Sequence, residues 1–471
     1  MDQEADNTLE LSPFDQAIAR VYIRKLFCFP LLPSASQENT VSALRNALVT
    51  MSARWPFIAG TVGPAKPLLG QKHRLEAHYK SPALAEDIDK VFTVRQIHLN
   101  NYPSTYTEMS KAGMPPSVLR KEMLCPFRAH PAPGNSNAAF SLQANFLPDG
   151  LILCFTFHHT IFDGTSGREF FRAFAAATRA IEQIPASIDS ATLMRLGSGG
   201  AIDEAHSQLW PEYDFDKSIA VGIPSSPFTT SRIFTFTSAR LAELKTEVMT
   251  VLNARAGNAG YISTAACLNG LIWVTVMRAR HHRLHAGATS RYAVAVDCRS
   301  RMRPAQSSSY FGNCVVHTVA TAKVEELTTE GRDLCMRKVA LAATRFREAA
   351  SFVDDLYIRK RLRLYESIED LGDMATAFKR RIDMPNTGLD FSDWRDQGAD
   401  YDFSIPGTAT AEPEWVRKTW SANEGAVNIM PRKGGAQGYA DYEVLLALSV
   451  EDMNKVCAES ELGGWTSRIV E

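Results

Sequence analysis

Leu151-Ile152-Leu153-Cys154-Phe155-Thr156-Phe157-His158-His159-Thr160-Ile161-Phe162-Asp163-Gly164 runs an uninterrupted apolar segment straight into two histidines, a carboxylate and a glycine. The first seven residues are short and rich in β-formers, the pattern of a strand buried on both faces. His159 then falls near the strand's end. A titratable pair emerging from a buried strand costs free energy unless it is hydrogen-bonded, and such groups collect at functional sites. An imidazole acid/base site is the expectation, and a core histidine held by backbone is the competing reading. The spacing His-x-x-x-Asp-Gly lets the imidazole face a channel while Asp163, past a turn, anchors the loop. His158, His159 and Asp163 form no tetrahedral set with a partnering His/Cys cluster, so no metal site is expected.

Downstream, Thr165 to Gln183 reads as a helix with Phe170, Phe171 and Phe174 on one face and Arg168, Arg172 and Arg179 elsewhere. Upstream come Leu11-Ser12-Pro13-Phe14-Asp15-Gln16, a β-like stretch through Cys28-Phe29, and an amphipathic helix from about Val41 to Arg54 that ends at Trp55-Pro56. Between Pro185 and Thr230 the pattern dissolves into Gly197-Ser198-Gly199-Gly200, Pro211 and Pro224-Ser225-Ser226-Pro227, the composition of a long surface connection. Strands then resume at Arg232–Phe236, Tyr292–Val296 and Tyr442–Leu448, with helices near Ala239–Leu252 and Ser263–Arg280. Ser449-Val450-Glu451-Asp452 opens a last helix. Alternating strands and helices in both halves predict an α/β protein with domains at 1–185 and 232–471 and a crossover loop over 186–231.

With 471 residues, 45% of them hydrophobic, the chain can bury a core large enough for two domains. Its 51 basic and 52 acidic residues are interspersed and sum to a net charge of -1, so neither nucleic acid nor an anionic membrane is an expected partner. A small molecule is. The acidic N-terminus lacks the pattern of a secretory signal, and no apolar run approaches the ~20 residues a membrane span requires. Eight cysteines without C-x-x-C spacing fit reduced thiols in the cytoplasm. His281, His282 and His285 lie among arginines and read as a solvated helix end. Gly164-Thr165-Ser166-Gly167 is followed by Arg168, which rules out a nucleophile elbow. Gly434-Gly435-Ala436-Gln437-Gly438 lacks the Lys-Ser/Thr of a P-loop and reads as a hairpin turn.

Taken in order, several segments resemble the BAHD acyltransferases, particularly their fungal secondary-metabolite branch. Leu11-Ser12-Pro13-Phe14-Asp15 is similar to the family's opening, Trp55-Pro56-Phe57-Ile58-Ala59-Gly60 to its P-x-x-A-G helix end, and His159 to Gly164 to its H-x-x-x-D-G signature. Val296-Asp297-Cys298-Arg299-Ser300-Arg301 with Tyr310-Phe311-Gly312-Asn313 resembles "VDxRxR … YFGN", and Val427-Asn428-Ile429-Met430-Pro431-Arg432 its late strand. Ser392-Asp393-Trp394 resembles T-S-W. Of the second signature, D-F-G-W-G, only Asp402-Phe403 survives in Asp402-Phe403-Ser404-Ile405-Pro406-Gly407.

The resemblance implies two chloramphenicol-acetyltransferase-like α/β domains, mixed sheets flanked by helices, with a channel between them. His159 at mid-channel would act as general base, worth ~10²–10⁴ in rate, in direct attack of an acceptor hydroxyl or amine on acyl-CoA. Acyl-CoA, by default acetyl-CoA, would be a co-substrate, with no permanently bound cofactor and no metal. Asp163 and Gly164 would be structural, Asp163 pairing with Arg299 or, as second choice, Arg301. Ser392 and Trp394 would stabilise the oxyanion, unless they form an ordinary turn with a packed Trp. Asp402 and Phe403 would lie near the coenzyme A channel. Phe170, Phe171, Trp273 and Phe311 would shape an apolar pocket or simply pack the core. A channel completed within one chain implies a monomer. Two rivals share the fold: a condensation-type enzyme using a carrier-protein thioester, suggested by His158-His159, and a non-catalytic small-molecule-binding protein.

Overall fold

The seven apolar residues before His158 form the centre of a nine-residue strand, Gly150–His158, in which every residue is buried. The computed structural model describes residues 5–66, 70–180, 212–218, 228–256, 260–328, 334–384, 386–420, 423–435, 438–439 and 441–471. The Gly150–His158 strand is the middle of a mixed five-stranded sheet, ordered Trp415–Arg417, Tyr22–Pro30, Gly150–His158, Phe140–Leu147, Phe92–Gln96. Burial on both faces explains its lack of alternation. Helices Gln37–Arg54 and Gly164–Thr178 cover one face of this sheet, and Phe27, Phe140, Phe155, Phe157, Phe170 and Phe174 fill the space beneath them. The Gln37–Arg54 helix starts four residues before the expected Val41, because the Ser36 hydroxyl accepts the Asn39 N–H at 3.3 Å and caps it there.

The second half builds a seven-stranded mixed sheet, ordered Val315–Lys323, Thr289–Asp297, Gly388–Asp393, Ala426–Ile429, Tyr442–Ser449, Thr229–Phe236, Arg468–Val470. Helix Thr264–Arg280 packs on it, with Trp273 at 0% exposure donating its indole N–H to Ser290 at 2.7 Å. A smaller antiparallel sheet joins Ala5–Glu10, Leu75–Ser81, Thr61–Pro64 and Asn137–Ala138.

The two halves exchange parts. Trp415–Arg417, from the C-terminal half, closes the edge of the first sheet against Tyr22–Pro30, and Phe311 and Phe403 enter the first core. The expected crossover over 186–231 lies outside the described residues except for 212–218 and 228–231, and the helix expected to reach Gln183 ends earlier, at Thr178, with Arg179 as its C-cap. Gly434–Gly435 pairs with Gly438–Tyr439 in a small hairpin, its tip again outside them. Core packing accounts for all four aromatics set against a pocket role, since Phe170, Phe171, Phe311 and Trp273 are buried inside the two cores. All eight cysteines are free. No helix among the described residues is long and apolar enough to cross a membrane, and no metal-holding cluster occurs among them.

Candidate active site

The Gly150–His158 strand ends in a short 3₁₀ turn, His159–Ile161, and that turn fixes the imidazole of His159. Nδ1 lies 2.8 Å from the Phe162 carbonyl. A carbonyl only accepts, so Nδ1 carries the proton and donates it, leaving the lone pair on Nε2. The turn's backbone is tied at both ends, with the His159 N–H donating to the Val21 carbonyl at 2.9 Å and the Asn313 amide donating to the His159 carbonyl at 2.9 Å. Burial lowers the imidazole pKa below its ordinary value, only partly offset by the Phe162 carbonyl. His158, by contrast, is 2% exposed, packs edge-on against Tyr22 and contacts the Thr160 hydroxyl at 2.6 Å. It belongs to the wall of the turn.

Both oxygens of Asp163 are taken up by neighbours. Its Oδ1 accepts the Ser166 N–H at 2.8 Å and caps the Gly164–Thr178 helix. Arg299 grips both oxygens, at 2.8 and 3.1 Å, and the Cys314 N–H adds a bond at 2.9 Å. Burial works to raise this carboxyl, but the Arg299 guanidinium outweighs it and holds the pKa below the usual range. Arg299 also donates to the Tyr310 and Gly312 carbonyls at 3.1 and 2.9 Å. Arg301 instead donates to the carbonyls of Ala350 and Val353. Gly312 must be glycine: its φ is +156° and an added Cβ would come within 2.6 Å of the Tyr310 hydroxyl.

The separated sequence blocks thus meet at one place. Ser12 and Asp15 form a capping box for the short Pro13–Ala17 helix, and Asp15 accepts both the backbone and side-chain N–H of Asn313 at 2.8 Å. Burial raises the Asp15 carboxyl to about 6. Asn313 in turn carries the His159 carbonyl, so the opening block, the histidine turn and the Tyr310–Asn313 block are one hydrogen-bonded unit.

A cavity of about 300 Å³ opens beside His159, lined from the first half by Ile23, Lys25, His159 and Phe162 to Thr165, and from the second by His317 and Ser392 to Gln397 among others. Ser392 is the penultimate residue of the Gly388–Asp393 strand and Trp394 follows the strand, its backbone N–H donating to the Ile429 carbonyl at 3.0 Å. Both line the cavity, so Trp394 is not a packed core indole. Gly164 lines it too, at the helix N-terminus. Asp402 and Phe403 do not. Phe403 is 0% exposed against Phe27 and Phe29, and Asp402 pairs with Arg179 at 2.9 Å.

Two cavity groups escaped the sequence reading. His317, on Val315–Lys323, has its pKa lowered to about 4 by burial and, secondarily, by His159. Lys25 is 1% exposed, its amine faces no carboxylate within ion-pair distance among the described residues, and burial lowers its pKa well below the ordinary value.

The Transferase family model matches residues 107–462. The chain belongs to that family. It is an acyltransferase of the BAHD type, and residues 21–178 also match the trichothecene 3-O-acetyltransferase-like N-terminal domain. Among curated relatives of this transferase, the trichothecene 3-O-acetyltransferase TRI101 of Fusarium sporotrichioides is 25% identical over 98% of this chain and 96% of its own length. The eremophilane O-acetyltransferase prx11 of Penicillium rubens is 24% identical over 69% and 73%. The fumigaclavine B O-acetyltransferase easN of Aspergillus fumigatus is 23% identical over 97% and 96%. The fold of the transferase is that of F. graminearum TRI101 complexed with ethyl coenzyme A, with a TM-score of 0.80 at 21% identity, covering 99% of this chain and 100% of that one.

Proposed function

We propose that the transferase moves an acyl group, acetyl by default, from acyl-CoA to a hydroxyl of a small secondary metabolite, with His159 as general base. The observation that carries this reading is the Nδ1 contact to the Phe162 carbonyl, which leaves Nε2 as the free base of an imidazole lining the cavity. The acceptor hydroxyl gives its proton to Nε2 as its oxygen attacks the thioester carbonyl. The departing thiolate takes the proton back, so base and acid are the same imidazole and no covalent enzyme intermediate is required. Ser392 and Trp394, on the opposite wall, donate to the oxyanion. Asp163 and Arg299 hold the turn and do not touch the reacting atoms. Phe403 packs in the first core and Asp402 pairs with Arg179 at the surface, both away from this cavity. The acetyl default rests on relatives that are named O-acetyltransferases. The cavity takes its lining from a single chain, in keeping with a monomer of two units divided at 186–231.

Free-thiol release from acetyl-, malonyl- and longer acyl-CoA against a panel of hydroxylated fungal metabolites tests the reading. Acceptor-dependent release with an acylated product is the expected result. No release from any CoA ester, with turnover of a carrier-protein thioester, contradicts it.

A further inference from the structure

One wall of the cavity carries an amine that the chemistry above leaves unused. In the antiparallel pairing of Tyr22–Pro30 with Gly150–His158, Ile23 lies opposite Phe157, Lys25 opposite Phe155, and Phe27 opposite Leu153. Residues two apart on a strand share a face, so Lys25 interrupts an apolar row. His159 prolongs the same row, since its N–H bonds to Val21. Lysine and histidine therefore leave the sheet on one side, toward one cavity that both line. Lys25 is 1% exposed. Among the described residues its Nζ makes no hydrogen bond and no ion pair, and it rests over ring faces instead, 4.6 Å from the Trp394 centroid and 5.3 Å from that of Phe171. The Asp163 carboxylate acts on it through space, but that carboxylate is already held by Arg299, Ser166 and Cys314.

A lysine buried without a counter-charge costs free energy, and proteins keep such groups where a negative charge arrives during function. Trp394 shares the argument: it carries the Lys25 amine over its ring and lines the cavity together with Ser392. We infer that Lys25 is a catalytic residue, its Nζ–H donating to the oxyanion formed at the thioester carbonyl. This rests on the acyl-transfer reading. As the acceptor oxygen bonds to the carbonyl carbon, its proton passes to His159 Nε2 and the carbonyl π pair moves onto oxygen, where Lys25 receives it. When the carbonyl re-forms, the C–S bond breaks, the thiolate takes the His159 proton, and Lys25 is unchanged. Burial holds the resting Lys25 amine well below its ordinary pKa range, with Asp163 opposing. The oxyanion relieves that penalty, so the interaction strengthens only on the way to the transition state.

Lys25→Met keeps length and packing but removes the donor. With an acceptor turned over by the wild type, kcat is expected to fall ~10²–10³-fold with both KM values within about threefold. Its melting temperature is expected to equal or exceed that of the wild type, because an uncompensated buried amine is gone. Lys25→Arg should recover part of kcat. An unchanged kcat, a loss confined to the acceptor KM, or a lowered melting temperature with activity lost in step overturns the inference. Should Lys25→Met not fold, Lys25→Gln carries the same comparison. Absence of acceptor-dependent thiol release in the wild type sinks the acyl-transfer reading itself, and this role with it.

Discussion

The role proposed for His159 rests on the atom its Nδ1 touches. A carbonyl acceptor at 2.8 Å fixes the tautomer, and burial keeps the ring neutral. The sign of the pH dependence follows: protonation removes the base, and a lowered pKa moves that loss to lower pH. In a kcat/KM profile, activity is expected to hold through neutrality and to fall only on an acid limb below the ordinary histidine value of about 6.5. A limb above that value contradicts the burial argument. At this scale much of the site was legible, because His159, Asp163, Arg299, Ser392 and Trp394 stand in short, ordered motifs. Lys25 was not. In Arg24-Lys25-Leu26 it reads as an ordinary charged pair at a strand's start, and only the strand register puts its side chain inside. His317 was hidden in the same way within Val315-Val316-His317-Thr318.

The Gly164–Thr178 helix depends on its first carboxylate more than a typical helix does. Asp163 is both its cap and the counter-ion of Arg299, whose guanidinium is 4% exposed. Losing a cap costs ~1 kcal/mol and a buried charge left wholly unpaired ~3–5 kcal/mol, but Asp297 stays paired with Arg299 at 3.0 Å. Asp163→Ala is therefore expected to lower unfolding stability by an amount between the two, measured by denaturant titration, and to reduce kcat by loosening the turn. A loss near ~1 kcal/mol would mean that Asp297 alone suffices for Arg299. Close packing fixes the same helix start: an added Cβ on Gly167 would lie 2.7 Å from the Phe162 ring, which is itself stacked 3.8 Å from Phe157. Phe140–Leu147 alternates apolar and polar residues with a strand's period of two, a pattern that implies one solvated face. Its Ser141, Gln143 and Asn145 would lie on that face, yet all eight residues are buried. The structure satisfies them locally, with Gln143 donating to Met123 and Asn145 to Leu124 and Ile152.

For the molecule as a whole, composition indicated two α/β units, but not how they interlock. Local pattern cannot show that Trp415–Arg417 pairs with Tyr22–Pro30, or that Phe311 stacks 4.6 Å from Trp55, because both are contacts between distant segments. Arg299 and Asn313 add polar ties from the second half to the histidine turn. Neither half can lose its fold without stripping the other of a strand, core aromatics and buried partners. Calorimetry is therefore expected to show one unfolding transition rather than two independent ones, and two separated peaks would contradict the exchange. The same interlock gives the cavity walls from both sheets and holds His159 across from Ser392 and Trp394. The most direct measurement is acceptor-dependent thiol release by His159→Ala beside the wild type, on protein shown to fold and to bind the CoA ester equally. The account predicts a fall of ~10²–10⁴ in kcat with ester binding retained. Turnover at the wild-type rate would contradict it.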